Sequence, residues 1–397
     1  MIEQISIGIF SSVGAVEGTS RLIVDIALLF GLFVIVAMAL NFQYGNAGIP
    51  NMGCAVQVII GAFTSSAITA RLAYTIMVWI SVPIPPWESN YDWIYLNVAR
   101  VGVVNKVIET NPGLGLGLFL FSIATSMVVG SILGYLMSLP AIRLRATYLM
   151  IVLITVADAS QRFGFNIPAI CGGTIGMSIP NVLQWYSGDK SLLVSVITLF
   201  IGLIVFLVFR TMLNSPYGRL MRSIRENEVT VGSVGKNVVG IRTNILIFAS
   251  AITAVAGVLH ATSINFVAVE NYYRAYWTYW PWLMLILGGP GNNAGTFLGC
   301  ALIVAFRKAL QIYKWAIDQY LFFPVSIIED LVLGILLVAV MIFRPSGLIP
   351  EKLLYIPGVN YSKLISEETK VDWRSAPKAG EKKKGKSSDG GKIEGDK

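Results

Sequence analysis

Apolar runs of about 20 residues, nearly free of charge, alternate with short polar segments along most of the chain, and a helix of that length crosses the ~30 Å core of a bilayer. Six such runs lie near 22–41, 48–70, 114–139, 191–209, 244–264 and 325–343. Shorter or interrupted candidates lie near 72–84, 146–160, 276–287 and 294–306. The pattern predicts an all-α, polytopic integral membrane bundle with about 8–10 spans, some of them short or broken.

Composition supports the same class of protein. Hydrophobic residues make up 55% of the 397-residue chain, charged residues make up 13%, and the mean hydropathy is +0.69. A soluble domain carries about 25% charged residues. A chain with so few charges cannot cover its surface with polar groups, so lipid must be the solvent for much of it.

The basic residues of the apolar body cluster in a few loops, and eight of them lie in two loops between predicted spans. They are Arg143 and Arg145 in one loop, and Arg210, Arg219, Arg222, Arg225, Lys236 and Arg242 in the other. Two spans separate the loops, so both can face the cytoplasm, which is the side that Lys and Arg favour. The same count puts the C-terminus inside and the loops 80–113, 161–190, 265–275 and 313–324 outside. The first 70 residues stay open, because one or two spans fit between Asn41 and Pro83.

The chain divides by composition into a membrane domain, residues 1–359, and a Lys-, Glu-, Gly- and Ser-rich tail, residues 360–397, which is expected to be disordered and cytoplasmic. Within the tail, Gly380–Ser387 fits the P-loop expression, but its flanks can supply neither the strand nor the helix that a nucleotide site needs. We therefore expect no ATPase site in this chain. Three scattered cysteines and a single histidine also predict no metal site.

Six short motifs occur in order along the body. They are Leu40–Gly48, Leu144–Tyr148, Gly172–Gly176, Ser215–Gly235, Leu287–Gly291 and Phe343–Leu348. Together they resemble the membrane subunits of branched-chain amino acid ABC importers, in particular the LivM-type permeases. The resemblance covers the chain from about residue 40 to residue 348 and extends over most of the apolar body.

The resemblance implies a passive translocation subunit that is not itself an enzyme and needs no cofactor, because partner subunits bind the ATP. The implied partners are a homologous or identical second permease, two ATPase subunits, an external solute-binding protein and membrane lipid, with no nucleic acid. The implied location is the cytoplasmic membrane of a bacterium or archaeon. Branched-chain amino acids are the default substrate, and related permeases carry urea, amides or other small solutes.

The cytoplasmic segment 215–242 is the leading candidate site. Pro216 and Gly218 would break the incoming span, and arginines at a spacing of three would form one cationic stripe on the helix that follows. In the resembled family, a short helix here docks in a cleft of the ATPase. The alternative is an ordinary basic loop that touches only lipid head groups. The candidate docking residues are Arg219, Arg222 and Arg225, their countercharges Glu226 and Glu228, and Gly235, which can end the helix.

A second set of residues is assigned to the translocation path. Unwound, glycine-rich backbone can offer N–H and C=O groups to a zwitterion, although close helix packing would require the same glycines. Asp158 could serve as a gate or pair two helices, or could be an interfacial carboxylate paired with Arg162. The candidate path residues are Gly45, Gly48, Gly53, Asp158, Gly288 and Gly289.

An ion-gradient-coupled secondary transporter of small polar solutes is the alternative function. It would need acidic or histidine relays, for which the candidates are Asp25, Asp158 and His260, and it leaves segment 215–242 unexplained. We interpret His260 as a structural residue more readily than a substrate ligand. The aromatic run 272–282 is interpreted as a membrane-interface belt. A membrane enzyme would lack any recognisable catalytic cluster.

Overall fold

The structure, a computed structural model, describes residues 2–82, 96–144, 146–312, 325–344 and 346–351, with the side chains of 2–20 and 325–330 excepted. The predicted tail 360–397, its P-loop-like stretch and the loop 313–324 lie outside the described residues. Almost all of the described secondary-structure elements are helices.

The first half of the chain contains α1 (Ile2–Leu40), α2 (Cys54–Thr64), α3 (Ala70–Trp79), α4 (Asn97–Thr110), α5 (Pro112–Arg143), α6 (Ala146–Asn166) and α7 (Pro168–Cys171). The second half contains α8 (Lys190–Asn214), α9 (Pro216–Glu226), α10 (Glu228–Ser233), α11 (Val238–Ile264), α12 (Trp280–Gly288), α13 (Asn293–Ile312) and α14 (Val325–Phe343). Two-residue strands, β1 (Met177–Ser178) and β2 (Phe266–Val267), pair antiparallel, with Met177 opposite Val267.

Several helices are interrupted or extended by short turns of π-helix, which is wider than an α-helix, or of 3₁₀-helix, which is tighter. The π-helical turns are Asn41–Asn46, Ser65–Thr69 and Ala275–Tyr279, and a 3₁₀ turn covers Val269–Tyr272. The first π-turn continues α1, the second joins α2 to α3, and the third leads into α12. Such turns free backbone groups from the regular α-helical ladder and are frequent at functional sites.

The polytopic, all-α fold is confirmed. Among the described residues, six helices are long and apolar enough to cross a membrane, namely Arg21–Gly45, Cys54–Trp79, Pro112–Arg143, Lys190–Asn214, Val238–Ile264 and Asn293–Ile312. Two more, α6 with 21 residues and α14 with 19, also have the length of a span. The choice left open for this part of the chain is decided: 48–70 and 72–84 are not separate spans, because a π-turn carries one helix through from Cys54 to Trp79. A single span therefore lies between Asn41 and Pro83.

Helix α11 is the centre of the bundle. Of its most apolar 18-residue stretch, 89% is buried, against 28% for α5 and 33% for α8, which expose one side to the surroundings. Small residues fill much of α11, including Ala249, Ala254, Ala256 and Gly257. A helix that is apolar all round and rich in small residues can be surrounded by other helices at short range.

A stripe of small residues on α5 packs against α11. It recurs at every fourth position and consists of Ser122, Ser126, Gly130, Gly134 and Ser138, all buried. A Cβ added at Gly134 would lie 2.6 Å from the carbonyl oxygen of Leu246, and one at Gly130 would lie 2.9 Å from that of Ser250. Residues four apart share one helix face, so the stripe lets the two backbones approach along several turns.

Helix α2 meets α11 even more closely, through a reciprocal pair of glycines. A Cβ on Gly61 would lie 1.8 Å from the Ala254 carbonyl oxygen, and one on Gly257 would lie 2.0 Å from the Val58 carbonyl oxygen. Both obstacles are backbone atoms in the middle of helices, which cannot move aside alone. The crossing of α2 and α11 therefore requires glycine on both helices.

The two predicted basic loops lie at the same end of the bundle. Ala146, just after the first loop, lines a cavity together with Gly48, and a Cβ added to Gly48 would lie 3.0 Å from Cγ of Arg225 in the second loop. We call this the basic end. The opposite end carries the β1–β2 pair and α4, and we call it the ribbon end. Which end faces the cytoplasm stays a prediction.

We expect Gly61→Ala and Gly117→Ala to have opposite effects on stability. The Gly61 change forces a methyl group into the α2–α11 contact and should cost about 1–3 kcal/mol. Gly117 on α5 has nothing within 4 Å of an added Cβ, so alanine there should be neutral or stabilising by up to ~1 kcal/mol through its helix propensity. Thermal unfolding in one mild detergent compares the two, and an unchanged melting temperature for Gly61→Ala would contradict the proposed crossing.

Candidate functional site

Segment 215–242 begins with a sharp reversal at the basic end. Helix α8 ends at Asn214, Ser215 is extended, and Pro216 occupies the first turn of α9, where its missing N–H is no loss. A Cβ on Gly218 would lie 2.2 Å from the Leu213 carbonyl oxygen. The chain can therefore fold back on the end of α8 only with glycine at this position, and the predicted break at Pro216 and Gly218 is confirmed.

The segment contains two short helices where the spacing of its residues suggested one, and Gly235 ends the second of them as predicted. Helix α9 ends at Glu226, and Asn227 then caps a second helix, α10, by accepting a hydrogen bond from the Thr230 N–H at 3.1 Å. An asparagine side chain that binds the backbone of the following turn favours a helix start over a helix interior. Gly235 directly follows the C-cap residue of α10 with a φ of +79°, and its N–H donates to the Gly232 carbonyl at 3.0 Å, which is the geometry of a glycine that ends a helix.

The two short helices share a small apolar core with the start of α11. Ile224 of α9, Val231 of α10 and Val238 of α11 are buried together, with Leu220 and Ile241 packed against them. This core is separate from the main core of the bundle. The segment therefore has packing of its own, in addition to the side of α9 that is buried in the main core.

The predicted cationic stripe was also wrong. At about 100° per residue, positions three and six residues apart on a helix are turned by about −60° and −120°. Arg219 is consequently exposed, whereas the side chains of Arg222 and Arg225 are only 23% and 25% exposed and turn back towards the bundle. Ion pairs hold them there, since both contact the carboxylate of Glu351.

Arg225 makes the denser set of contacts. Its guanidinium lies 2.8 Å from Glu351, lies 3.0 Å from Glu226 and donates to the backbone carbonyl of Gly45. Partial burial lowers the pKa of Arg225, but the bonds and charges of Glu351 and Glu226 outweigh that effect and raise it. Glu228 pairs instead with Arg242, at 2.9 Å. Both predicted countercharges are therefore bound within the segment.

The glycines assigned to the translocation path are mostly sites of close backbone contact. A Cβ on Gly45 would lie 2.4 Å from the Gly291 nitrogen, and one on Gly288 would lie 2.2 Å from the Gly295 carbonyl oxygen. Gly289 has a φ of +109°, and its Cβ would lie 2.4 Å from the Ile349 carbonyl oxygen. The alternative interpretation, that glycine is needed here for close packing of the backbone, accounts for these residues.

Hydrogen bonds connect the same glycine-rich turns to one another. The Asn41 side chain accepts from the Gly291 N–H at 2.8 Å and donates to the Asn293 side chain at 2.9 Å. The N–H groups of Leu348 and Ile349 donate to the carbonyls of the last residues of α12, at 2.8 and 3.1 Å. The end of the first span, the α12–α13 turn and the segment after α14 thus form one bonded group at the basic end.

An apolar cavity of about 610 Å³ opens beside this group. Its walls are Tyr44, Gly48, Pro50, Met52, Ala146, Met150, Tyr279, Trp282, Ile286, Leu333, Gly334, Leu337 and Met341. Of the six candidate path residues, Gly48 lines it. Gly53 lies deeper, where an added Cβ would be 3.1 Å from the Leu153 carbonyl oxygen. The cavity suits an aliphatic group and offers polar contact through two tyrosines and the backbone near Pro50.

Asp158 lies in the second half of α6, towards the ribbon end, and of its two alternatives the structure favours helix pairing over the pair with Arg162. Its carboxylate accepts from Arg274 at 2.6 Å, not from Arg162. Nearby, Gln161 donates to the Tyr272 carbonyl at 2.8 Å. Asp158 therefore joins α6 to the segment before α12, as a helix-pairing role requires. Asp25 is likewise paired, with Lys308 at 3.2 Å.

The aromatic run 272–282 is not an interface belt, contrary to the prediction. Tyr272, Trp277 and Trp280 are at most 1% exposed. The π-turn Ala275–Tyr279 and α12 turn the run into the bundle, so most of its rings pack in or against the core, while Tyr273 is 44% exposed. His260 hydrogen-bonds to the Tyr272 hydroxyl at 3.1 Å and packs edge-on against Trp277. This is the structural arrangement expected for the histidine.

Arg307, which the sequence analysis did not single out, lies inside the same aromatic group. Its guanidinium is 4.5 Å from the ring centroids of both Tyr276 and Trp280, and the residue is 4% exposed. Aromatic faces attract a cation most strongly where water is excluded. In the part of the chain that the structure describes, no three His, Cys, Asp or Glu residues are grouped to hold a metal.

Comparison with known proteins matches residues 22–341 to the family described as the permease component of branched-chain amino acid transport systems. The chain belongs to this permease family. It is 35% identical over 340 residues to a probable branched-chain amino acid transport permease protein, LivM, of Methanocaldococcus jannaschii, covering 85% of this chain and 95% of the relative. It is 23% identical over 356 residues to the high-affinity LivM permease protein of Escherichia coli, covering 83% and 71%.

No solved structure is significantly similar to the chain. The family match ends at residue 341, so Glu351, which the sequence analysis also overlooked, lies beyond it. Its position in the sequence could have identified Glu351 as a candidate, because it is an acidic residue soon after the Phe343–Leu348 motif in a chain whose body has few charges.

We expect His260→Ala to destabilise the permease far more than Asp158→Asn. The histidine change leaves a hole among buried rings and an unpaired Tyr272 hydroxyl, a loss of about 2–4 kcal/mol. The Asp158 side chain is 45% exposed, and an ion pair at such a site contributes ~1 kcal/mol or less. Thermal unfolding in detergent measures both, and equal melting temperatures for the two variants would contradict the structural role of His260.

Proposed function

We propose that the chain is the membrane-spanning permease subunit of an ATP-binding-cassette importer for branched-chain or related amino acids. Membership of the permease family supports transport, and the α9–α10 segment, ordered by a small apolar core of its own, supports coupling to a separate ATPase. The observation that carries the coupling is the surface of α10, where Val229 is 82% exposed and Val234 is 72% exposed. Apolar side chains in a polar loop, away from the spans, are typical of a surface that a partner protein covers.

The proposed complex contains a second permease, homologous or identical, and two ATPase subunits at the basic end, which then faces the cytoplasm. A solute-binding protein delivers the amino acid at the ribbon end. The complex lies in the cytoplasmic membrane of a bacterium or archaeon, with the tail 360–397 inside. Nucleotide-driven closure of the ATPases moves segment 215–242 and shifts the bundle between two packings, so the ATP is bound by the partners and the permease has no cofactor of its own.

The apolar cavity is proposed as part of the translocation path. It lies beside the glycine-rich turns at the basic end, and its wall of Met, Leu and Ile side chains accepts the aliphatic part of an amino acid. Tyr44, Tyr279 and the backbone near Pro50 are available to its charged groups.

The ion-gradient-coupled alternative receives less support. Asp25 and Asp158 are each held in an ion pair, and His260 is buried in a hydrogen bond with Tyr272. A relay residue has to exchange a proton or an ion with the translocation path. All three candidate residues are instead engaged in contacts that join helices.

We expect Val229→Glu to reduce recovery of the ATPase on purification of the tagged permease from its native host by at least about tenfold, because a charge would be placed at the centre of the docking surface. The matched control is Val98→Glu, which alters a similarly exposed valine, 70% exposed, at the ribbon end. Mass spectrometry of the co-purified proteins gives the ratio of ATPase to permease. Equal recovery with both variants would argue against docking at α10, and no ATPase with the unaltered chain would argue against the importer.

We expect Gly334→Trp to slow amino acid uptake severalfold in proteoliposomes without reducing ATPase recovery. Gly334 lines the cavity and has nothing within 4 Å of an added Cβ, so the indole can enter the space without displacing the helix. Gly117→Trp is the control, since Gly117 is equally open but lies on the outer face of α5. Normal uptake by Gly334→Trp would exclude the cavity from the path.

A further inference from the structure

We propose that Arg225 and Glu351 form the positioning pair that passes movement of segment 215–242 into the membrane bundle; this rests on the proposed coupling to an ATPase. The pair lies where three parts of the chain meet. These are α9, the π-turn that ends the first span, and the segment that follows α14. No other contact described for α9 joins it at once to both of the other parts.

The geometry at Arg225 suits a guanidinium and not an ammonium group. Arg225 donates to the Gly45 carbonyl through Nη1 and binds Glu351 at 2.8 Å through Nη2. A guanidinium has five donors in a rigid planar fork, so it can hold two acceptors in fixed directions. A lysine would keep the charge but lose the fixed angle between the two bonds.

Two glycines leave the space that the pair occupies. A Cβ on Gly48 would lie 3.0 Å from Cγ of Arg225. A Cβ on Gly291 would lie 2.8 Å from Oε2 of Glu351 and 3.2 Å from Nη1 of Arg225, and Gly291 has a φ of +85°. The absence of side chains at these two turns therefore leaves room for the Arg225 and Glu351 side chains and fixes their positions.

Each end of the pair continues into a hydrogen-bonded connection. Gly45 belongs to the π-turn whose Asn41 side chain accepts from the Gly291 N–H, which leads to the α12–α13 turn. Glu351 follows the residues that bond to the end of α12. Displacing α9 thus pulls on the first span and on α12 through contiguous bonds, which is the physical connection that coupling requires. The cavity lies beside these same elements.

The roles of the neighbouring arginines differ. Arg222 lies 3.7 Å from Glu351 and donates to the Leu213 carbonyl at 3.3 Å, so it ties α9 mainly back to α8. Arg219 is exposed and belongs to the docking surface. Neutralising Glu351 removes the pair while leaving every exposed residue of α9 and α10 in place, so Glu351 is the residue to change.

The test uses the full permease complex, purified from its native host with its ATPase and reconstituted in proteoliposomes. Glu351→Gln keeps the shape but removes the charge, and Arg225→Lys keeps the charge but removes the fork. Asp25→Asn is the matched control, because it neutralises the carboxylate of another inter-helix ion pair, with Lys308, that does not touch segment 215–242. The measurements are ATPase recovery, ATP hydrolysed per solute imported, and the melting temperature.

We expect both pair variants to recover the ATPase in normal amounts and to consume about tenfold more ATP per solute imported, within the usual range of coupling effects between sites. Asp25→Asn should stay within about twofold of the unaltered complex. Glu351→Asp, which keeps the charge, should recover part of the coupling.

Three results would overturn the pair. Normal coupling in both variants would show that movement passes elsewhere. Loss of ATPase recovery together with a lowered melting temperature in both would show that the pair only supports the fold. Absence of the ATPase with the unaltered chain would remove the importer proposal and the pair with it, a failure separate from the first because the unaltered complex is then never recovered.

Discussion

The distance between the backbones of α11 and its neighbours is the constraint on which the rest of the structure depends. Lipid tails are as apolar as leucine, so helices in a bilayer gain little by hiding apolar side chains from it and associate through close packing instead. Gly61 and Gly257 bring α2 and α11 together until each carbonyl lies where a Cβ would be. The small-residue stripe on α5 does the same from another side. Once these contacts fix α11, the ends of the surrounding helices have little freedom.

The basic end shows the opposite kind of construction. Here glycine allows the turns to approach, but charges and amides decide how they are joined: Arg225 with Glu351 and the Gly45 carbonyl, and Asn41 with the Gly291 N–H. Packing contacts between small residues resist deformation in every direction. Hydrogen bonds and ion pairs between turns hold a preferred geometry yet can rotate about it. The helices around α11 are packed rigidly, and the turns at the basic end are joined by bonds that can rotate. In such a structure, a displacement of one turn can shift whole helices together.

The spans, the two basic loops and the helix break at Pro216 could be predicted because each depends on local chemistry: apolar length, positive charge, and a missing N–H. The predictions that were wrong depended on how the helices are oriented and packed in space. The arginines at 219, 222 and 225 were expected on one face, but a spacing of three turns the helix enough to send Arg225 inward to Glu351, a partner 126 residues away in sequence. The aromatic run 272–282 has the composition of an interface belt, and only its path into the bundle makes Trp277 and Trp280 core residues. The stripe of small residues on α5, at a spacing of four, depends on sequence pattern alone and could also have been predicted.

The shortness of α12 bears on how the chain is made. With 9 residues, Trp280–Gly288 rises only about 14 Å, and even with the preceding π-turn it falls short of the bilayer core. Such a segment cannot leave the insertion machinery as an independent span, and its broken ends would face lipid unsatisfied. In the folded chain it packs instead against α1, α13 and α14. A segment this short can therefore be held in the membrane only by the helices around it, so its insertion depends on theirs.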